Sequence, residues 1–321
     1  MKFPFYKRDR KEVVDPDLPA PAIRGLDEWT GYEADDDLEA AVNVALLLGQ
    51  PLLLTGEPGT GKTQLPFHLS NQFGWADPLI FEAKSTSTYR DLFYSYDAVG
   101  RFHAKDIGGT SREAREYIQY NALGRAILRT LDKKKIERYL PSDYIHDGPK
   151  PSVVLIDEID KAPRDFPNDI LREIENLYFK VPEIDLEELK ASPEHRIVVV
   201  LTSNSEKNLP PAFLRRCTFF HIKPPSDDKL VRILTTRFGQ LTKGDKFYTD
   251  AIQLYGNLRK AGLEKIPATA ELLAWVAYLR VRGVTSLGRD NKQTIRESLS
   301  VLVKNDEDMQ KAYNLVEQYA G

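Results

Sequence analysis

Leu52-Leu53-Leu54-Thr55-Gly56-Glu57-Pro58-Gly59-Thr60-Gly61-Lys62-Thr63 is the stretch on which the rest of the chain turns. An apolar run with the character of a buried strand enters a loop spelled G-x-x-x-x-G-K-T, and a helical pattern leaves it. Glycines allow a tight turn in which several backbone N–H groups face inward, where they cradle phosphate oxygens. The following helix adds the positive end of its dipole. Lys62 is placed to reach β- and γ-phosphates, and the Thr63 hydroxyl to complete a Mg²⁺ shell. Gly56, Glu57, Pro58, Gly59, Thr60, Gly61, Lys62 and Thr63 together predict a nucleoside triphosphate site.

Reading outward, residues 1–34 mix aromatics, charges and prolines and predict an irregular arm. Asp35-Asp36-Asp37 suit the first turn of a helix, which Leu38, Val42, Ala45 and Leu46 continue on one face until Gly49 and Pro51 stop it. Downstream of the loop a helix is expected over about 61–73. Further apolar runs predict strands at Leu79–Ala83, Val153–Ile156, Ile197–Leu201 and Thr218–Ile222. Residues 85–120 are too long for a minimal connection and read as an insertion, residues 121–130 as a helix. Lys133-Lys134-Lys135 and Pro141–Pro151 read as loop. Phe166, Ile170, Ile174 and Leu177 predict a helix ended by Pro182, with a solvated acidic stretch over Glu183–Glu194. Strands alternating with crossovers specify an open α/β sheet with helices on both faces. After Pro224-Pro225 only helical stripes occur, one of them running around Ile295–Tyr319. The expected division is therefore an arm (1–34), an α/β nucleotide-binding domain (35–225) and a small helical domain (226–321).

Asp157-Glu158 follows the third core strand directly. A carboxylate there can organise Mg²⁺, and its neighbour can orient and deprotonate an attacking water. Asp157 is assigned to the metal and Glu158 to the water; Asp160 reads as a cap for the next element. Thr202-Ser203-Asn204 ends the fourth strand, and in a parallel sheet this strand end also faces the ligand crevice. The Asn204 amide there either holds water against the γ-phosphate or simply forms a turn. Arg215-Arg216 precedes the fifth strand. The pair is either solvated or supplies a guanidinium to a neighbouring subunit's nucleotide. Cys217 reads as a small buried residue without a base or metal partner.

These segments resemble the AAA+ ATPases of the MoxR family: GEPGTGKT at 56–63, YDAVGRF at 96–102, VVLIDEIDKAPRDFPNDILREIE at 153–175 and VLTSNSEKNLPPAFLRRCTFFHI at 200–222. The likeness spans about 35–285. It implies a P-loop NTPase module with a parallel five-stranded sheet in the order 5-1-4-3-2 and a C-terminal all-α lid. Lys62 and Thr63 fall at the Walker A places, Asp157 and Glu158 at Walker B, Asn204 at sensor 1 and Arg216 at the arginine finger. An insertion near 98–120 would face the pore of a ring, usually of six subunits, with ATP and Mg²⁺ bound between the α/β domain and lid. The implied activity is chaperone-like, ATP-dependent remodelling of a client protein. Partners bearing a von Willebrand factor A domain are common in that family. One departure stands out. Where the family's lid carries a sensor 2 arginine, this chain reads Pro267-Ala268-Thr269-Ala270. Lys265 lies just ahead, either as a substitute without the flat guanidinium fork or as an exposed helix-start charge.

Forty-five Lys plus Arg against 48 Asp plus Glu give a formal charge of −3, which offers no broad positive field for nucleic acid. The single cysteine excludes an internal disulfide framework. No stretch approaches the ~20 apolar residues that span a bilayer, and the charged N-terminus does not resemble a signal peptide. A cytoplasmic setting is expected. Two rivals to the remodelling machine follow from the same residues. Ala270 motivates a slowly hydrolysing nucleotide-controlled scaffold or switch that assembles with effectors, which tight ATP binding with negligible turnover would favour. The other is a nucleic-acid motor or clamp loader, for which Lys133–Lys135 offer a backbone contact; absence of any binding to DNA and RNA at low salt would dispose of it.

Overall fold

The computed structural model describes residues 20–21, 31–106, 113–205, 209–241 and 246–319. The arm expected over 1–34 lies largely outside the described residues, as do residues 107–112 of the insertion. In chain order, helix α1 (Asp36–Leu48) leads to strand β1 (Leu52–Gly56), and helix α2 (Gln64–Gln72) to β2 (Leu79–Glu82). Strand β3 (Tyr94–Tyr96), helix α3 (Ala98–Asp106) and strand β4 (Ile118–Tyr120) follow, then α4 (Ala122–Arg129) and the single turn α5 (Lys133–Ile136). Strand β5 (Ser152–Asp157) gives way to short helices α6 (Phe166–Asp169) and α7 (Leu171–Asn176), then strands β6 (Tyr178–Val181) and β7 (Leu186–Lys190). Strand β8 (Ile197–Ser203), the turn α8 (Pro211–Leu214) and strand β9 (Thr218–Ile222) complete this part.

Five of these strands form one parallel sheet in the order β2-β5-β8-β1-β9. Counted along the five core strands this is 5-1-4-3-2, the order the resemblance implied. The apolar runs are continuous because both faces of the sheet are covered. Leu52 and Leu54 pack with Leu38 and Val42 of α1 and Leu65 and Leu69 of α2. Leu53, between them, packs on the opposite face with Leu123 and Ile127 of α4 and with Phe166. Burying each such leucine contributes about 1.5–3 kcal/mol, so a one-residue slip of β1 would exchange its two cores. The register pairs Thr55 with Ser203, Gly56 with Ile222 and Ile156 with Leu201. The carboxyl ends of β1, β5 and β8 therefore finish side by side.

Three expectations are corrected around the sheet. The helix expected to run to Pro182 stops at Asn176, where Leu177 takes a left-handed backbone (φ 51°). Beyond it, Tyr178–Val181, expected in that helix, and Leu186–Lys190, expected to be solvated, form the antiparallel β6–β7 hairpin. Its Phe179, Val181 and Leu186 are buried in the main core. Tyr178-Phe179-Lys180-Val181 alternates between buried and exposed positions, the period of a half-buried strand rather than a helix. Lys133-Lys134-Lys135, expected in a loop, starts the helical turn α5, which the buried Ile136 anchors. Strands β3 and β4 pair and bracket α3, whose Val99 and Phe102 are exposed.

The chain divides into two compact units, one of which is Tyr32–Lys223. The described residues from Pro224 onward belong to the other and contain no strand. They carry α9 (Asp227–Phe238), α10 (Phe247–Lys260), α11 (Thr269–Val281), α12 (Lys292–Ser298) and α13 (Asp306–Tyr319). Ser226 caps α9 by accepting the Lys229 N–H, and Asn305 starts α13 by accepting the Asp308 N–H at 2.7 Å. That cap explains why the single helix expected around Ile295–Tyr319 is two. Leu230, Leu254, Leu258, Leu272, Trp275, Val276 and Leu279 make this unit's core. No helix among the described residues is long and apolar enough to cross a membrane.

Candidate nucleotide site

The loop after β1 is shaped by what its glycines leave out. Gly56 has φ 147°, and a Cβ on it would come 2.5 Å from the Ile222 carbonyl oxygen of β9. Gly61 has φ 90°, and a Cβ there would meet the Tyr32 ring at 3.1 Å. Neither position accepts a side chain without displacing backbone or the ring. Thr60 Oγ1 donates to the Glu57 carbonyl at 2.8 Å and ties the loop to itself. Glu57, Pro58 and Gly59 form its exposed crest.

Lys62 is folded back into this loop and is 7% exposed. Its Nζ donates to the Gly56 carbonyl at 2.8 Å, the Glu57 carbonyl at 3.0 Å and Asn204 Oδ1 at 3.0 Å. Burial draws its pKa below the usual lysine range, against the opposing pull of Asp157, Asp160, Glu158 and Glu57. Thr63 Oγ1 donates to Asp157 Oδ1 at 3.2 Å. The ends of β1, β5 and β8 thus bring two hydrogen-bonded pairs, Lys62–Asn204 and Thr63–Asp157, into one neighbourhood.

Glu158, the first residue past β5, holds a left-handed backbone at φ 53°, ψ 49°. Such a conformation costs a non-glycine residue about 1–3 kcal/mol, and surrounding contacts must impose it. Its N–H donates to Thr202 Oγ1 at 2.9 Å, and its side chain is ion-paired with Lys161. That hydrogen bond to Glu158 raises the Lys161 pKa. Asp160 does not cap the next helix as expected. Its Oδ1 accepts the Asn204 backbone N–H at 3.2 Å and so fixes the end of β8 from the turn after β5.

Sequence reading missed Thr202 and misassigned Asp160. Thr202 reads as one more β-branched strand residue, and only the pairing of β5 with β8 turns its hydroxyl toward the acids. Arg216 is in neither of the two pairs. Its Nη1 donates to the Ala212 carbonyl at 3.1 Å, its Nε lies 3.4 Å from Glu175 Oε2, and its side chain is 45% exposed. Arg215 is exposed beside it. Lys265 belongs to the other compact unit, where it is exposed and its backbone N–H donates to Asp308 Oδ2 at 3.2 Å. Ala270 is an exposed residue in the first turn of α11.

Among the described residues, no three His, Cys, Asp or Glu side chains gather to hold a metal. The Thr63 hydroxyl and Asp157 carboxylate nevertheless offer adjacent hard oxygens. Mg²⁺ uses such a pair when a bound phosphate and water supply the rest of its shell.

Residues 51–217 match the family model described as AAA domain (dynein-related subfamily). No curated protein matches the chain. Among solved structures, a point variant of Thermotoga maritima RuvB is similar at 14% identity and a TM-score of 0.44, covering 85% of this chain and 69% of that one. A Thermotoga maritima RuvB described as a Holliday junction branch migration motor gives 15% identity, the same TM-score of 0.44 and the same coverages of 85% and 69%.

Proposed function

From a chain that belongs to the AAA domain family, dynein-related subfamily, we propose a MoxR-type AAA+ ATPase that hydrolyses ATP to remodel a client protein. The observation that carries the reading is the convergence of Lys62, Thr63, Asp157 and Asn204 at neighbouring strand ends. That is the set of groups phosphoryl transfer to water requires: a cation for the phosphates, oxygens for a metal, and an amide for the terminal phosphate. Thr63 and Asp157 would hold Mg²⁺, which when bound neutralises charge on the phosphate oxygens.

In this reading an incoming triphosphate draws Lys62 away from the loop carbonyls and Asn204. Released from Lys62, the Asn204 amide turns to the γ-phosphate and reports its loss. Glu158 leaves Lys161 to accept a proton from the attacking water. The half-exposed Arg216 reaches the nucleotide of an adjacent subunit in a ring, for which six members are proposed. Val99 and Phe102, 67% and 64% exposed on α3, form the apolar part of a client-facing segment. A partner with a von Willebrand factor A domain and a cytoplasmic setting complete the proposal.

One observation favours a second reading, a slowly hydrolysing switch that assembles with effectors. Ala270 occupies the place of the sensor 2 arginine, and the backbone of Lys265 is tied to Asp308. Turnover separates the two. Glu158→Gln is expected to retain ATP binding and to lose about 10²–10⁴-fold in turnover, the range of a general base, while Lys62→Ala loses binding. A wild-type protein that binds ATP tightly and turns over no faster than Glu158→Gln would favour the switch. One that binds no ATP would contradict both.

A further inference from the structure

Thr202 is 1% exposed, and its hydroxyl bonds to both acidic residues at the end of β5, as donor to the Asp157 carboxylate and as acceptor from the Glu158 backbone. Its Oγ1 donates to Asp157 Oδ1 and accepts the Glu158 N–H at 2.9 Å. The same Asp157 oxygen accepts from Thr63 Oγ1. The β5–β8 register explains the placement: Ile156 pairs with Leu201, so one step further along both strands sets Asp157 beside Thr202. A β-branched residue has few χ1 choices, and the hydroxyl is accordingly held where one atom reaches both acids. Glu158 meanwhile sits in a left-handed conformation that something must hold, and its N–H is fastened to that hydroxyl.

We propose that Thr202 is a positioning residue for hydrolysis. Its hydroxyl orients the Asp157 carboxylate beside Thr63 and latches the Glu158 backbone, so that metal-holding and water-activating acids keep one fixed spacing. This rests on the roles given above to Asp157 and Glu158. A buried threonine with only a packing role would need its methyl and not its hydroxyl. An interaction of this outer kind is worth about 10–100-fold in metal affinity or activity.

The test compares wild type, Thr202→Val and Thr202→Ser. A fluorescent ATP analogue measures affinity with and without Mg²⁺, and steady-state turnover is titrated with Mg²⁺. Thr202→Val, which keeps the shape and removes the hydroxyl, is expected to bind the analogue normally without Mg²⁺. It should lose most of the affinity that Mg²⁺ adds, and its kcat should fall by about 10–100-fold. Thr202→Ser should recover most of both. If Thr202→Val does not fold, Thr202→Ala stands in with the same expectations. The proposal is overturned if the hydroxyl-less variant matches wild type in Mg²⁺ response and kcat, or if Thr202→Ser is as impaired as that variant. Failure of the ATPase reading looks different: wild type itself would bind no analogue, or its turnover would be indifferent to Glu158→Gln.

Discussion

The ammonium of Lys62 donates to Oδ1 of Asn204 across 3.0 Å, joining the loop after β1 to the end of β8. With the Gly56 and Glu57 carbonyls, Asn204 fills all three donor positions that lysine has. In the proposed mechanism a nucleotide replaces these partners, and Asn204 then turns toward it. Asn204→Ala is therefore expected to bind ATP about as well as wild type. Its kcat should drop about 10²–10³-fold, as when one preorganised polar group is removed from a reacting oxygen. Separate measurement of binding and single-turnover hydrolysis checks this; a defect in binding alone would give Asn204 a structural role only.

Asp308 gives the helical unit an acid sensitivity. Burial pushes its pKa up, but hydrogen bonds from the Glu264 and Lys265 N–H groups, with Lys311 and Asn305, more than offset that and hold it below the usual carboxylate range. A depressed folded-state pKa stabilises above the unfolded value, near pH 3.9 for aspartate, and that stability is lost as pH falls through the folded value. Asp308→Asn should lower the melting temperature at neutral pH and narrow its gap to wild type in acid. Melting curves from neutral pH to below 4 follow this, and a gap that stays constant with pH would contradict it.

Trp275 is fully buried, and its indole N–H donates to Ser298 Oγ at 2.8 Å. Ser298→Ala leaves that donor without its partner, at a cost of about 1–3 kcal/mol. Urea unfolding followed by tryptophan fluorescence should show the loss as a lower midpoint.

Burial pushes the Cys217 thiol up to about 12. At pH 8 its thiolate is scarce, and since the thiolate is the reactive form, alkylation in the folded protein should be at least about a hundredfold slower than in urea. Timed iodoacetamide labelling measures this. Equal rates would place the thiol in solvent.

The core sheet was legible because its information is local. Five apolar runs, each ending in a turn or a polar group, identify the strands, and β9 falls at Thr218–Ile222 as read. The loop glycines were legible because a turn this tight leaves no room for a side chain at Gly56 and Gly61. The β6–β7 hairpin was misread because Phe166, Ile170 and Ile174 fit a helical period that carries the eye past Leu177. The backbone turns left-handed there, and alternation takes over. Thr202 and Asp160 stayed hidden for a different reason. What each does depends on a partner more than forty residues away, Asp157 for one and Asn204 for the other. Arg216 lies at the opposite limit: its partners within the chain are Ala212 and Glu175, and its proposed role requires a second subunit.

That requirement gives the most direct test of the central claim, an ATPase whose site is completed by a neighbour. ATP turnover per subunit is measured against protein concentration, and then at fixed total protein in mixtures of wild type with Arg216→Ala. The account predicts that the rate rises with concentration and that small fractions of Arg216→Ala depress it more than in proportion to their share. A rate that is flat with concentration and falls only as wild type is diluted would contradict it.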